Sequence, residues 1–133
     1  MIKVRIGGKI FGFRIVRRRS SLKGTKKDYA EYKDSAQALA KSRLEYFNTF
    51  YGFKIGRVSV KNQKSRWGSC SRKGNLNFNY KIAKLPASTA DYIILHELCH
   101  LGEFNHSRAF WSLVAKSMPD YLEVRHSLKN PLQ

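Results

Sequence analysis

The chain has 133 residues and a net charge of +17, from 26 lysines and arginines against 9 aspartates and glutamates. At 42% hydrophobic and 13% aromatic content it is too apolar to stay disordered, and its length suits one domain with its own core. The apolar runs fall short of a membrane span, no secretory leader is legible, and Cys70 and Cys99 are too few for a disulfide framework, so a cytoplasmic protein is expected.

In chain order, the alternation of Ile2, Val4 and Ile6, the Gly7-Gly8 link and the segment Ile10 to Arg17 predict a β-hairpin. Arg18 to Lys27 reads as a basic loop. Residues 1–27 carry ten basic residues, among them Arg17, Arg18 and Arg19, and no acidic one. From about Asp28 to Tyr51 the period becomes helical, with a stripe of Ala36, Ala40, Leu44, Phe47 and Tyr51 facing the core and Gly52 as the stop.

A sheet is expected over about residues 55–80. Val58 and Val60 begin it, Lys61 to Lys64 turn, and Ser65 to Ser71 pair through an Arg72-Lys73-Gly74 turn with Leu76 to Tyr80. Leu76, Phe78 and Tyr80 would face inward and Asn77 and Asn79 outward, with Trp67 in the core. If this hairpin lies at the sheet edge beside a catalytic site, its backbone can pair with an extended peptide.

After Pro86, Ser88-Thr89-Ala90-Asp91 resembles a capping box, and a helix should run to about Leu101. Ser107 can cap the next helix, which carries Phe110, Trp111, Val114 and Met118 and stops at Pro119. Asp120 to Lys129 completes a helical region spanning about residues 88–129.

The chemistry concentrates between residues 96 and 106. His96 and His100 are four apart, so on a helix they project from one face and can reach one zinc ion. Glu97 beside them can accept a proton from an attacking water. Gly102 can end the helix in a left-handed conformation and return the chain so that His106 becomes a third ligand. A chance match on a surface helix and a hydrogen-bonded core cluster are the bland alternatives. The apolar run Tyr92 to Leu95 argues against the first, because buried histidines need partners. A structural site of two cysteines and two histidines is a further alternative, although Cys99 reads more simply as a buried apolar thiol.

The series Arg66-Trp67-Gly68-Ser69-Cys70, His96-Glu97-Leu98-Cys99-His100, Asn105-His106-Ser107 with Phe110-Trp111, and Pro119-Asp120-Tyr121 resembles the YgjP-like metallopeptidase family over roughly residues 55 to 125. The resemblance implies an α+β, zincin-like fold: a small twisted, mostly antiparallel sheet packed against the H-E-x-x-H helix and flanking helices. It also implies His96, His100 and His106 as zinc ligands and Glu97 as the catalytic base. The histidine spacing equals that of metzincins, but their glycine would fall where this chain has Glu103, and no Met-turn is evident.

The expected activity is hydrolysis of peptide bonds by a metal-activated water with Glu97 as general base. Tyr121, Arg125 and His126 are candidate oxyanion donors, and Glu103 and Asn105 can orient ligand imidazoles. Peptides or proteins are the expected substrates, and the positive charge would admit acidic ones among them. The alternative is a basic nucleic-acid-binding module with a structural metal, or a protease held on DNA in the manner of SprT-like enzymes, through the basic N-terminal region.

Overall fold

The computed structural model of the chain describes residues 2–7, 10–15 and 22–128. It is an α+β structure whose elements are β1 (Ile2–Gly7), β2 (Ile10–Ile15), α1 (Lys26–Asn48), β3 (Val58–Lys61), β4 (Arg66–Ser71), β5 (Leu76–Asn79), a 3₁₀ turn (Tyr80–Lys84), α2 (Ala87–Cys99), α3 (Arg108–Ser117) and α4 (Tyr121–Leu128). Among the described residues the strands form one sheet in the order β1-β2-β4-β5-β3. Among the described strands only the β3–β5 pair is parallel. The expected turn at Gly8 and the arginine run 17–19 lie outside the described residues.

Helix α1 begins two residues earlier than its apolar stripe indicates. Thr25 is the N-cap, its hydroxyl accepting the Asp28 N–H at 3.0 Å, so Lys26 and Lys27 belong to the helix rather than to a basic loop. The helix ends at Asn48, whose side-chain amide accepts the Phe53 N–H and donates to the Phe53 carbonyl, both at 2.8 Å. Gly52 comes four residues later with φ +75°. Tyr51 is therefore off the helix; its ring stacks on Phe53 and its hydroxyl donates to the Leu113 carbonyl at 2.5 Å. Ala36, Ala40, Leu44 and Phe47 are buried, as the stripe predicts.

The start of α1 is tied to the 3₁₀ turn. Tyr80 donates to the Asp28 carboxylate at 2.6 Å, and Lys84 approaches the same group at 3.0 Å. Both hold the Asp28 carboxyl below its ordinary range, the tyrosine hydrogen bond most of all. A depressed folded-state pKa adds stability above the unfolded value, near 4, that disappears as pH falls through the folded value. Asp28→Asn is thus expected to melt below wild type at pH 7, with the gap closing in acid; pH-resolved thermal melts read this directly.

Strand β5 departs from simple alternation. Asn79 is buried, not solvent-facing, because its amide donates to the carbonyls of Gln63 and Arg66 and its oxygen accepts the Lys81 N–H. These bonds close the strand and start the 3₁₀ turn, so Tyr80 is buried at the turn rather than in the strand. Gly74 takes φ +88° in the β4–β5 turn. Neither strand of this hairpin is an edge: β4 lies between β2 and β5, and β5 between β4 and β3. The expectation of a free peptide-binding edge here is overturned by the pairing of β2 with β4.

Helix α2 packs against α1, α3, α4 and the sheet. Tyr92, Ile93, Ile94, Leu95 and Leu98 all have 0% exposure. Each buried aliphatic contributes roughly 1.5–3 kcal/mol. The capping box does not form. Pro86 is the N-cap and gives no side-chain bond, while the Asp91 carboxylate is held by Arg43 of α1 through bonds of 2.8 and 3.0 Å. This fork locks α2 against α1 and engages the carboxylate that would have turned back to the helix start.

Candidate metal centre

The last turn of α2 carries His96 and Glu97, and His100 is its C-cap. The helix ends at Cys99, short of Leu101, and the N–H groups of Gly102 and Glu103 both bond to the Cys99 carbonyl. Gly102 does not adopt the left-handed conformation expected of it; among the described glycines only Gly52 and Gly74 have positive φ. Its role is close packing, because a Cβ there would lie 2.6 Å from Phe53 Cζ and 3.0 Å from Leu113 Cδ1. The chain then returns through residues 103–106, and Ser107 caps α3 by accepting the Phe110 N–H at 3.4 Å.

This path brings three imidazoles together. His96 Nε2 lies 3.1 Å from His100 Nε2 and 3.2 Å from His106 Nε2. His100 Nδ1 is 3.1 Å from the Glu103 carbonyl, which accepts only if Nδ1 carries the proton. His100 Nε2 is then a bare lone pair. A single proton on His96 Nε2 points at one of its two neighbours, not both. A cation at the point of convergence takes all three lone pairs at once. The donor set therefore fits a metal ion, and among the described residues no carboxylate or thiolate joins it.

Burial keeps the three imidazoles in the neutral state that metal binding requires. His96 and His100 are fully buried and His106 partly. Desolvation, followed by the neighbouring charges of His100, His106 and Arg125, holds His96 well below the usual imidazole range. Desolvation first and His106 second push His100 down to about 3, and desolvation then Arg125 bring His106 to about 4. The α3 aromatics form the wall behind the rings. Phe110 stacks on His100 at 4.5 Å and meets His96 edge-on at 4.8 Å.

Glu97 is fully buried and faces β4. A Cβ on Gly68 would stand 3.0 Å from Glu97 Cγ, 3.3 Å from its Oε2 and 3.2 Å from the Asn77 carbonyl. Glycine within the strand thus marks the backbone's close approach to the carboxylate. Its place in Trp67-Gly68-Ser69 was the available signal, and sequence reasoning assigned it no role. Gly68→Ala is expected to lose about 1–3 kcal/mol of stability, since the Asn77 carbonyl belongs to the sheet ladder and cannot retreat. Denaturant melts at fixed metal content check this.

Among the remaining expected site residues, Glu103 acts through its main-chain carbonyl, while Asn105 is exposed and no described contact joins its side chain to a ring. Tyr121 stacks on Trp111 at 5.1 Å, and the Arg125 guanidinium lies 4.8 Å from the same ring. Trp111 packs 5.8 Å from His96 and 6.0 Å from His106, so α4 borders the histidine cluster. His126, on the same helix, is exposed.

The sequence profile of the YgjP-like metallopeptidase domain matches residues 10–131. Among solved structures, the metallopeptidase zymogen of Pyrococcus abyssi abylysin is similar, at TM-score 0.59 and 24% identity, over 71% of this chain and 95% of that one. Curated proteins provide no match.

Proposed function

Because the chain belongs to the YgjP-like metallopeptidase family, which makes it a metal-dependent peptidase, we propose that it is a zinc peptidase of zincin type, with His96, His100 and His106 as ligands and Glu97 as general base. The observation that carries this reading is the convergence of three imidazoles, with the Nε2 atoms of His100 and His106 at 3.1 and 3.2 Å from His96 Nε2 and the buried Glu97 adjacent in sequence. Three neutral imidazoles suit zinc and leave a coordination position open. A zinc ion held there supplies Lewis acidity toward a carbonyl and toward water.

The chain's own groups do the rest. Glu97, braced by the β4 backbone, accepts the proton of the attacking water and delivers it to the leaving amine. The Glu103 carbonyl fixes the His100 tautomer by accepting from Nδ1. Of the three oxyanion candidates, the reading favours Arg125 for the charge developing on the carbonyl oxygen, because it is a permanent cation; it rests on Trp111, the ring on which Tyr121 also stacks.

The net charge of +17 favours acidic peptide segments as substrates. Both cysteines are free and buried, which suits the reducing cytoplasm. No helix among the described residues is long and apolar enough to cross a membrane.

Stripping the purified chain with a chelator is expected to abolish cleavage of casein, and one equivalent of zinc to restore it. Cleavage that survives complete metal removal, or a chain that takes up no divalent metal, sinks the reading.

A further inference from the structure

The backbone edge beside Glu97 is filled by the chain itself. β4, whose Gly68 lies on the Glu97 side chain, pairs on one side with β5 and on the other with β2. The β2 ladder sets Ile10 opposite Ser71, Phe11 opposite Cys70, Gly12 opposite Ser69 and Arg14 opposite Arg66. At the far side of the sheet, β3 is closed by α1: Gln37 donates to the Val58 carbonyl at 2.8 Å and Tyr29 to the Val60 carbonyl at 3.1 Å. Among the described strands, only the outer edge of β1 remains open. It lies two strands from β4, roughly 10 Å away at the usual inter-strand spacing, too far for a peptide paired there to present its carbonyl beside Glu97.

Main-chain pairing with an exposed edge is the general way to hold an extended peptide irrespective of its sequence. The edge with the right position is β4, and β2 occupies it.

That occupancy is weakest next to the site. Between Gly12 and Arg14 the register shifts, so that Trp67 and Gly68 together oppose the single residue Phe13. The ladder is broken where β4 touches Glu97. A two-stranded hairpin without a third strand is marginal, so β1 and β2 depend on β4 for their order.

Downstream, the chain is anchored independently of the hairpin. The N–H of buried Leu22 donates to the Lys64 carbonyl at 2.7 Å, and the Asn62 side chain bonds both the N–H and the carbonyl of Gly24 at 3.0 and 2.8 Å. None of these bonds to the chain before α1 involves β2.

We propose that the β1–β2 hairpin is a built-in competitor for the peptide-binding edge of β4, and that an unfolded stretch of polypeptide reaches Glu97 by taking the place of β2. The inference rests on the peptidase reading and deepens it. Exchanging one set of ladder hydrogen bonds for another is nearly neutral. Substrates already extended over about six residues, the length of a typical strand, can make the exchange, whereas folded proteins cannot.

The register supplies the test. Position 11 lies opposite the native Cys70, and directly opposed positions in an antiparallel pair fall within disulfide reach. In the full-length, zinc-loaded chain, Phe11→Cys is oxidised to lock the hairpin or reduced to free it. The same lock on a Glu97→Gln background reports binding of fluorescein-labelled casein without cleavage. Locking is expected to lower both cleavage and binding at least tenfold, with recovery on reduction. Phe11→Cys combined with Cys70→Ser should show no response to oxidation. Should Phe11→Cys fail to fold, Ile10→Cys with Ser71→Cys gives a second lock in the same register. Amide exchange of residues 10–15 should also speed up when casein is bound to the unlocked chain, while that of residues 66–71 stays slow.

Equal binding in the locked and reduced states overturns the proposal. Equal cleavage in both states does so while leaving the peptidase reading intact. Binding that depends on the lock, with no hydrolysis by the zinc-loaded chain, keeps the hairpin's role and removes the peptidase reading.

Discussion

Glu97→Gln is expected to retain its zinc and lose hydrolysis by about 10²–10⁴-fold, the range assigned to a positioned general base. The substitution preserves shape at a position where shape matters, because Glu97 Cγ and Oε2 lie against the Gly68 backbone. Glutamine fills the same space but has no basic oxygen with which to take a proton from water. The three imidazoles are untouched, and no carboxylate takes part in their convergence among the described residues, so metal uptake should not change. The informative measurement pairs zinc content with kcat on one preparation. If the variant turns over normally with zinc in place, Glu97 is not the base. If zinc is lost as well, the carboxylate holds the metal or its ligands, and the division of labour proposed here is wrong.

How much of the site is legible in the sequence depends on the range of the interactions involved. His96 and His100 share a face because helix geometry is local, and Ser107 caps α3 through a bond spanning three residues. The packing stripe of α1 was legible for the same reason. Interactions between distant segments were not. Gly102 suggested a left-handed helix end, yet it is glycine because Phe53 and Leu113 come from elsewhere in the chain to pack on it. Asp91 suggested a capping box, but Arg43, 48 residues earlier, binds its carboxylate. The edge status of β4 was hidden for a related reason. Nothing within Arg66–Ser71 reveals that β2, from the far end of the chain, pairs with it.

Loss of His106 should have the largest effect on the metal. It is the one proposed ligand not delivered by α2 or its cap, and it is also the most exposed of the three. His106→Ala leaves two imidazoles four residues apart, a chelate that a surface helix can also offer. Zinc affinity should therefore fall by more than the 10–100-fold typical of losing a supporting hydrogen bond. The readout is zinc per chain after dialysis, together with the zinc-induced rise in stability of each protein over its own metal-free form. At free zinc near 100 times its dissociation constant, wild type should gain about 2.7 kcal/mol, and the variant should gain far less at the same concentration. Comparing each protein with itself removes the cost of the gap left beside Phe110, whose ring is 4.9 Å from that of His106. Unchanged zinc content with an unchanged stability increment would show that another group completes the site. It would also mean that the 3.2 Å approach of His106 to His96 reflects packing of the return loop rather than coordination.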